Sequence, residues 1–469
     1  MFPSKVGHPI HNFFYTLLLI PFILILIHLH YIPQLRTTLS KSSNECTGKY
    51  IYIQNIPSQY NTDLVRDCDK LSQWTDMCMA VTNTGLGPNI SNINNGWYNT
   101  NQFTLEIIFH NRMKHYKCLT TNSSQASAIF IPFYAGLDVG RHLWGTDTSV
   151  RDSDSMELLK WVKSRPEWQR MGGNDHFLVA GRVTWDFRRI MVSGWGNSFL
   201  NQPETQNITT LIIESSPWHT NDIAIPYPTY FHPSTKNEIL SWQEKVRKIS
   251  RKYLFSFAGA PRSDVSSSIR QKIFEQCGLS KRCKLLDCRN DGNECFSATS
   301  IMKLFKSSIF CLQPKGDSYT RRSTFDAMVS GCIPVFFDSE SAYFQYKWYL
   351  PKNYSLYSVF VPEDVVNEGK VKLEELLSEF SEGEVIRMRE EVIKMIPKLI
   401  YGDPRVELEG WKDAFDVAIE RVIERVGKTR SEMKKGELIE ASDEKESWKY
   451  GLSVDGGKYK WDGFFQNHV

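Results

Sequence analysis

Short apolar runs alternate with stretches of helical spacing through the first half of the chain. Runs typical of buried strands occur at 51–56, 126–134, 176–183 and 209–215, and the segment 154–168 has the spacing of an amphipathic helix. Strands that alternate with helices are typical of a parallel sheet with helical crossover connections. The pattern therefore predicts an α/β domain in this half.

A second alternating series begins near residue 253. Its strand-like segments are 253–262, 308–314, 332–338 and 357–364, and its helical segments include 266–277 and 297–308. We therefore expect two consecutive α/β domains, an N-terminal one over 49–240 and a C-terminal one over 241–427. A charged tail, 428–469, follows them.

An uncharged apolar stretch lies close to the amino terminus. Residues 13–29 contain no charged side chain over 17 positions, which is at the short end for a transmembrane helix. A cleaved signal peptide is the alternative, but no small-residue cleavage site follows the stretch. We therefore expect a cytosolic segment at 1–12, a transmembrane signal anchor at 13–30 and a stem at 31–48.

Four N-glycosylation sequons lie after this stretch, at Asn89, Asn122, Asn207 and Asn353. A glycosylated segment must be lumenal, so the sequons and the anchor together indicate a single-pass type II membrane protein of the secretory pathway. The lumen is oxidising, which favours disulfides for the cysteines of this chain.

The overall composition does not favour a nucleic-acid-binding protein or a disordered chain. A balance of 56 Lys+Arg against 53 Asp+Glu gives a formal charge of +3, which does not indicate a nucleic-acid partner. The apolar fraction of 41% argues against a disordered chain. Aromatic residues reach 13%, which suits sugar-handling proteins but also large cores.

The ten cysteines are expected to form disulfides and not a metal centre. Four of them, between 277 and 295, are separated by six, five and seven residues and lack the close CxxC pairs of a zinc ribbon. Cys311 and Cys332 lie in apolar strands and are compatible with buried thiols or with a bridge. Four cysteines precede Leu119 and six follow residue 276, so we expect bridges within each domain and none between them.

The segment most informative about chemistry is 310–337, which reads as a strand, a polar turn, a helix and a second strand. Gly316 in the turn can adopt a positive φ. Asp317 or Ser318 can cap a helix that is expected over 319–329. Such a βαβ unit places the polar turn at the carboxyl end of its first strand, where open α/β sheets bind ligands.

Two adjacent arginines, Arg321 and Arg322, fall in the first turn of that helix. Cations oppose the positive end of the helix dipole, so the pair indicates a bound anion such as a phosphate. Asp326, four residues after Arg322, could accept hydrogen bonds from a ribose. The alternative is a helical Arg322–Asp326 ion pair worth only about 0.3–0.5 kcal/mol.

The same segment resembles the exostosin domain of plant family 47 glycosyltransferases. The similar stretches include QPKGDSYTRRSTFDAMVSGCIPVFF and, in family order, YIYIQNIPSQYNTDLVRDC, GGNDHFLVAGRVTWDFRR and SPWHTNDIAIPYPTYFHP. They span about 49–402 of the chain. More narrowly, the segment resembles the xyloglucan galactosyltransferase clade of the KATAMARI/MURUS type.

The resemblance implies an α/β fold of the GT-B type, in which two Rossmann-like domains face a cleft. The acceptor then binds the N-terminal domain, and the nucleotide sugar binds the C-terminal one. It further implies an inverting enzyme of the Golgi membrane that transfers galactose from UDP-galactose to xylose side chains of xyloglucan. No cofactor or divalent metal is expected, and a Golgi synthase complex is a further expected partner.

Donor-binding roles follow from the resemblance by position. It places Asp326 near the ribose and puts five residues at the diphosphate: Ser318, Tyr319, Thr320, Arg321 and Arg322. Distant exostosins carry an arginine three residues before the acid, where this chain has Ser323, so it stays open which arginine contacts phosphate. Gly259 and Arg262 could approach the donor or form an ordinary strand-to-helix turn.

An inverting transfer also needs a base for the acceptor hydroxyl. The candidates in the N-terminal domain are Asp138, His142, His176, Asp186 and Glu214. We expect His176 or Asp186 to be the catalytic base, because both lie in the strongest motif of that domain. The alternatives are a structural core histidine at 176 and an ion pair of Asp186 with Arg188 or Arg189.

The triplet Asp152-Ser153-Asp154 matches the metal-binding signature of the other major glycosyltransferase fold. It opens a charged helix and does not follow an apolar strand, so we expect no metal site there. Rival functions are transfer of galacturonic acid or arabinose on the same fold, and a non-catalytic scaffold subunit of a Golgi synthase complex. A scaffold has no reason to keep the arginine pair.

Overall fold

The computed structural model describes residues 45–90, 95–192, 194–261, 268–289 and 292–436. The expected cytosolic segment and anchor, most of the stem, Arg262 and the end of the tail lie outside the described residues. Within the described ranges, no helix is long and apolar enough to cross a bilayer. From Ile51 onward the chain forms one compact unit.

The first half contains a five-stranded parallel sheet. Its strands, in chain order and also in spatial order, are β1 (Ile51–Ile53), β2 (Ala128–Phe130), β3 (His176–Val183), β4 (Thr209–Glu214) and β5 (Asp222–Ala224). Phe177 and Val179 pack into one hydrophobic cluster, and Leu178 and Ala180 pack into another. Both faces of the sheet are therefore covered, which explains the unbroken apolar runs in the sequence.

The second half contains another five-stranded parallel sheet, as the sequence predicted. Its strands are β6 (Tyr253–Gly259), β7 (Cys283–Asp287), β8 (Ser308–Gln313), β9 (Ile333–Phe336) and β10 (Val359–Phe360). Their spatial order is β7–β6–β8–β9–β10, so the strand order reverses between β6 and β8. Doubly wound sheets bind ligands at the carboxyl ends of the strands on either side of such a reversal. The polar turn after β8 lies at that point.

The helices surround these two sheets. They are α1 (Thr82–Gly85), α2 (Leu105–Lys114), α3 (Ala135–Gly140), α4 (Thr148–Lys163), α5 (Pro166–Met171), α6 (Lys236–Lys248), α7 (Ile269–Leu279), α8 (Gly292–Cys295), α9 (Ala298–Lys306), α10 (Arg322–Val329), α11 (Glu363–Asn367), α12 (Leu373–Ser378), α13 (Glu382–Leu399) and α14 (Ala414–Lys435). The stretch of helical spacing at 154–168 contains Pro166, near which the helix is expected to end. In the structure α4 ends at Lys163, and α5 begins at Pro166. Pro166 has no amide hydrogen to donate, and it occupies the first turn of the second helix, where that donor is not needed.

The closing helix α14 packs back onto the first half of the chain. Phe415 lies with its ring centroid 4.7 Å from that of Phe109. Arg112 Nε lies 3.3 Å from Asp413, and a terminal nitrogen of the same guanidinium lies 3.1 Å from Asp416. The helix continues to Lys435, so residues 428–435 are helical although the sequence analysis assigned them to the tail.

Four disulfides are described, and each lies within one half of the chain, as expected. They join Cys68 to Cys78, Cys277 to Cys283, Cys288 to Cys295 and Cys311 to Cys332. Cys46 and Cys118 are disulfide-bonded as well. The alternative of buried thiols at 311 and 332 is therefore not the one observed, and the cluster between 277 and 295 is used up in two bridges.

The sequon asparagines lie where a glycan could be attached. Asn89, Asn122 and Asn207 are exposed, and Asn353 is half-buried. The side-chain oxygen Oδ1 of Asn353 accepts a hydrogen bond from the Ser355 backbone N–H at 3.1 Å. Glycosylation at these four sites stays a prediction.

The Arg112 contacts predict a large effect of one substitution on stability. Arg112→Ala should lower the free energy of unfolding by about 3–5 kcal/mol, because Asp413 is fully buried and would lose its cation. Urea unfolding followed by tryptophan fluorescence measures the loss.

Arg66→Ala is the matched control for this measurement. Arg66 pairs with Asp63 at 2.8 Å, but its side chain is 78% exposed. An exposed pair contributes about 1 kcal/mol or less. Equal losses in the two variants would contradict a role of Arg112 in holding the closing helix.

Candidate active site

The turn that follows β8 is held by a residue of the first sheet. Thr320 is fully buried, and its backbone N–H and hydroxyl donate to one carboxylate oxygen of Glu214 at 2.7 and 2.6 Å. Arg321 has extended backbone angles, φ −143° and ψ 140°, so helix α10 begins at Arg322 and not at Tyr319 as expected. The bonds to Glu214 explain the later start, because they hold Thr320 outside the helix.

Glu214 is the last residue of β4 and lies at the carboxyl edge of the first sheet. Its side chain is fully buried; Oε2 accepts both bonds from Thr320, and Oε1 accepts no hydrogen bond from the described residues. Burial raises the pKa of this carboxyl, and the bonds from Thr320 act against that rise. The Tyr227 hydroxyl lies 3.0 Å from Thr320 Oγ1. The two halves of the molecule therefore meet at a carboxylate with one unused oxygen.

Arg322 points into the protein interior. Its guanidinium lies 3.6 Å from the centre of the Tyr230 ring, and Nε lies 3.2 Å from Asp326. A terminal nitrogen donates to the backbone carbonyl of Thr100. Asp326 is buried beside it; burial raises the pKa of this carboxyl to about 6, although Arg322 lowers it. The ion-pair alternative for these two residues is thus the one observed. The second Asp326 oxygen, Oδ1, is buried and accepts no hydrogen bond from the described residues.

Arg321 lies on the outer side of the same turn. It is half-buried and donates to the Thr320 carbonyl at 2.9 Å. A β-carbon on Gly316 would lie 1.4 Å from a guanidinium nitrogen of Arg321, so the Arg321 side chain crosses the turn directly over this glycine. Gly316 does not adopt the positive φ that its position in the turn would allow. The Ser318 carbonyl accepts from the Gly316 N–H at 3.1 Å and closes the turn. Of the two arginines, Arg321 is the one placed to meet an anion at the start of the helix.

A second group of acidic residues borders this turn. Burial, together with neighbouring Asp338, raises the pKa of Glu340 to about 7, and a hydrogen bond with Tyr319 lowers it. Lys315 pairs with Asp338 at 3.3 Å and with Glu363 at 2.9 Å. Glu340 is not among the site residues expected from the sequence. Its signal is an acidic residue just after a buried parallel strand, and therefore at the same sheet edge.

The loops that follow β6 and β8 are tied together by Arg270, which the sequence analysis also missed. Its Nε donates to the Lys315 carbonyl at 3.0 Å, and a terminal nitrogen donates to the Ala260 carbonyl at 3.4 Å. Gly259, the last residue of β6, lies next to this contact. The structure therefore brings Gly259 to the edge that carries the Arg321 turn.

His176 lies at the opposite edge of the first sheet. It is the first residue of β3, whereas Glu214 pairs with Val183 at the end of that strand. Seven residues at about 3.3 Å each separate the two edges by about 23 Å. The His176 ring is fully buried, with Nδ1 2.8 Å from Asp175. The geometry is that of the core-histidine alternative and does not bring His176 to the site.

Asp186 lies at the expected edge, in the turn after β3. One of its oxygens accepts from the Trp195 indole N–H at 2.7 Å, and the other lies 3.4 Å from Arg182. Burial raises the pKa of this carboxyl. Its ion partner is thus Arg182 and not Arg188, which pairs with Asp222 at 3.3 Å. Both Asp186 oxygens are engaged, which makes it a weaker base candidate than Glu214.

The other acidic candidates of this half are paired with arginines. Asp138 and Asp154 share Arg141, the latter at 2.8 Å. Asp152 pairs with Arg189. Both acids of the DxD triplet therefore pair with arginines that hold segments of the first half together.

Comparison with known proteins is decisive for the family. The exostosin GT47 domain matches residues 45–377, which is most of the chain. The chain belongs to the exostosin GT47 family. The xyloglucan galactosyltransferase MUR3 of Arabidopsis thaliana is 53% identical over 440 residues, which cover 91% of this chain and 71% of the relative.

Two other comparisons show weaker similarity. A xyloglucan-specific galacturonosyltransferase of Arabidopsis thaliana is 40% identical over 407 residues, covering 85% of this chain and 61% of the relative. Among solved structures, a glycosyltransferase from Rickettsia africae aligns with 84% of this chain and 99% of that chain at a TM-score of 0.33 and 9% identity. The family and the two sheets, not that weak structural similarity, carry the argument about function.

The two arginines predict opposite results in a stability measurement. Arg322→Ala should lower the free energy of unfolding by about 3–5 kcal/mol, because it leaves Asp326 buried without its cation. Arg321→Ala, on the half-exposed turn, should change it by less than about 1 kcal/mol. Urea unfolding of both variants tests this, and a larger loss from Arg321→Ala would contradict the assignment of the interior position to Arg322.

Proposed function

We propose that this protein transfers galactose from UDP-galactose to xylose side chains of xyloglucan. The observation that carries the proposal is the contact between Glu214 and Thr320, which puts a buried carboxylate of the first half against the arginine-bearing turn of the second. The 53% identity with a xyloglucan galactosyltransferase over 91% of the chain supports the choice of donor and acceptor.

The start of helix α10 supplies the groups that a diphosphate needs. The first N–H groups of a helix have no partner within the helix, and the helix dipole is positive there. Arg321 adds a full positive charge beside them. In the proposed reaction these groups stabilise the negative charge that develops on the departing UDP. Glu340 and Tyr319 border the same turn. We propose that they bind the ribose or the transferred sugar through hydrogen bonds.

Glu214 is the residue to which we assign the base. In an inverting displacement, the acceptor hydroxyl attacks the anomeric carbon, the bond from that carbon to UDP breaks, and the hydroxyl proton passes to the base. In the proposed reaction the Glu214 oxygen that Thr320 leaves unused takes this proton. Because that oxygen is buried, binding of the acceptor must first expose it. A raised pKa suits the task, because it makes the carboxylate a stronger proton acceptor than an exposed one.

The proposed setting is the Golgi lumen, with the chain held by the anchor at 13–30. Disulfides in both halves support an oxidising compartment. The exposed sequons at Asn89, Asn122 and Asn207 agree with it.

Galacturonic acid is the alternative donor sugar, favoured by the 40% identity with a xyloglucan-specific galacturonosyltransferase. The test is a panel of UDP-galactose, UDP-galacturonic acid and UDP-arabinose with galactose-free xyloglucan oligosaccharides, followed by mass spectrometry. We expect addition of one hexose from UDP-galactose alone. Addition from another donor, with none from UDP-galactose, would contradict the proposed specificity, and no addition from any donor would favour the scaffold function.

Glu214→Gln separates catalysis from donor binding. The glutamine can still accept the Thr320 bonds but cannot take a proton, so kcat should fall by a factor of about 10²–10⁴ while the affinity for UDP changes by less than about threefold. In the native enzyme, kcat/KM should fall as the pH drops through the raised pKa of Glu214, since protonation removes the base.

Thr320→Val is the matched control for this substitution. It removes the hydroxyl donor to Glu214 and keeps the carboxylate, so its main effect should be weaker binding of UDP. If Glu214→Gln weakened UDP binding as strongly as it lowered kcat, Glu214 would be a positioning residue and not the base.

A further inference from the structure

Five tryptophans are unusually exposed. Among the residues that the structure describes, tryptophan side chains exposed by more than a third are these: Trp74 (55%), Trp144 (38%), Trp185 (41%), Trp195 (44%) and Trp218 (59%). Large exposed aromatic surfaces of this kind usually mark a binding site, because contact of apolar surface with water is unfavourable and a ligand can cover it.

All five lie in segments that follow strands of the first sheet. Trp74 comes after β1, Trp144 after β2, Trp185 and Trp195 after β3, and Trp218 after β4. Trp185 is next to Asp186, and Trp218 is four residues beyond Glu214. In a parallel sheet the segments directly after the strands leave at one edge, and Glu214 lies at that edge. The segments that carry the exposed indoles thus leave the sheet at the edge that carries Glu214.

Three of these tryptophans form one cluster. The ring centroids of Trp144 and Trp195 are 5.0 Å apart, with 18° between the planes. Trp74 lies 4.9 Å from Trp144 and 5.9 Å from Trp195. Trp185 and Trp218 form a second pair, 6.2 Å apart. More than a third of each ring still faces solvent.

The cluster is held rigidly before any ligand arrives. Trp74 lies in the loop closed by the Cys68–Cys78 disulfide. The Trp195 indole N–H is bonded to Asp186 at 2.7 Å. Arg151, itself buried, donates to the Gly194 carbonyl at 2.6 Å and so fixes the segment that carries Trp195. Preorganised aromatic rings lose little conformational entropy on binding.

The cations beside the cluster are buried. Arg182 pairs with Asp186 at 3.4 Å, and Arg189 pairs with Asp152. Arg151 donates to backbone carbonyls and is buried as well. These three arginines therefore present no cation to solvent next to the rings, as an acidic polysaccharide or an anionic lipid surface would require. A neutral ligand with apolar C–H faces and many hydroxyls fits best, and β-linked pyranose rings have both.

From these observations we propose that the five tryptophans form the surface on which the neutral β-glucan backbone of the acceptor polysaccharide lies. The inference rests on the proposed function and adds to it where the polymer binds. Rings of the backbone stack on the Trp74, Trp144 and Trp195 cluster, and Trp185 and Trp218 provide a second pair of stacking faces. The acceptor hydroxyl then reaches Glu214 while other sugar units of the polymer are held on the tryptophan surface.

The test compares a long acceptor with a short one. Galactose-free xyloglucan polymer and a single-repeat oligosaccharide are each assayed with UDP-galactose for the native enzyme and for the Trp74→Ala/Trp144→Ala double variant. The double variant should raise KM for the polymer by about tenfold or more, with KM for UDP-galactose and kcat on the short acceptor within about twofold. Trp74→Phe/Trp144→Phe should restore most of the polymer affinity.

Phe296→Ala is the matched control, because Phe296 is 78% exposed in the second half of the chain, away from the cluster. It should leave all these constants unchanged. An unchanged KM for the polymer in the double variant, or an equal change for both acceptors, would overturn the inference and leave the proposed function standing.

A binding measurement without donor keeps the two proposals separate. Quenching of tryptophan fluorescence is titrated with galactose-free xyloglucan and with polygalacturonan. The native protein should bind the neutral polymer, and the double variant should lose most of that binding. Tighter binding of polygalacturonan would overturn the inference. Binding of the neutral polymer that depends on the two tryptophans would support it even if the donor panel contradicted the proposed sugar.

Discussion

The arrangement of the candidate site depends on one buried carboxylate. Glu214 ends a strand of the first sheet and accepts two hydrogen bonds from Thr320 in the second half. An ionisable group is costly to bury alone, and the two donors offset part of that cost. The contact fixes where helix α10 begins, and that start in turn sends Arg321 outward and Arg322 inward. A change at Glu214 therefore affects both halves of the site.

The two adjacent arginines have different roles in the proposed anion site. Arg322 is used for structure, since it stacks on Tyr230 and neutralises Asp326. Arg321 stays on the turn that Gly316 opens, beside the unpaired N–H groups of the helix start. The strand-order reversal between β6 and β8 places this turn where doubly wound sheets bind nucleotides. The glucan surface proposed on the first half faces solvent at the edge that carries Glu214.

Much of this could be read from local patterns. Alternating apolar runs predicted both sheets, and the cysteine spacing favoured disulfides over a metal cluster. The polar turn after β8 was found because a glycine, a capping residue and two arginines coincide within a few residues. Those signals are local, and local geometry determines them.

What the sequence could not supply were contacts between distant segments. Glu214 and Thr320 are 106 positions apart, so nothing near either residue indicates the bond that delays the helix. His176 was favoured by its motif, but a strand pattern does not say which end of the strand faces the ligand. Asp326 was considered as a ribose contact because the sequence does not show that it is buried. That burial depends on tertiary packing.

We expect the donor diphosphate to lie at the start of helix α10, beside Arg321. A crystal structure of the protein with UDP tests it most directly. We expect the diphosphate within hydrogen-bonding distance of the Arg321 guanidinium and of the first N–H groups of the helix, with Arg322 still stacked on Tyr230. A diphosphate bound by Arg322, or bound through a metal at Asp152 and Asp154, would contradict it.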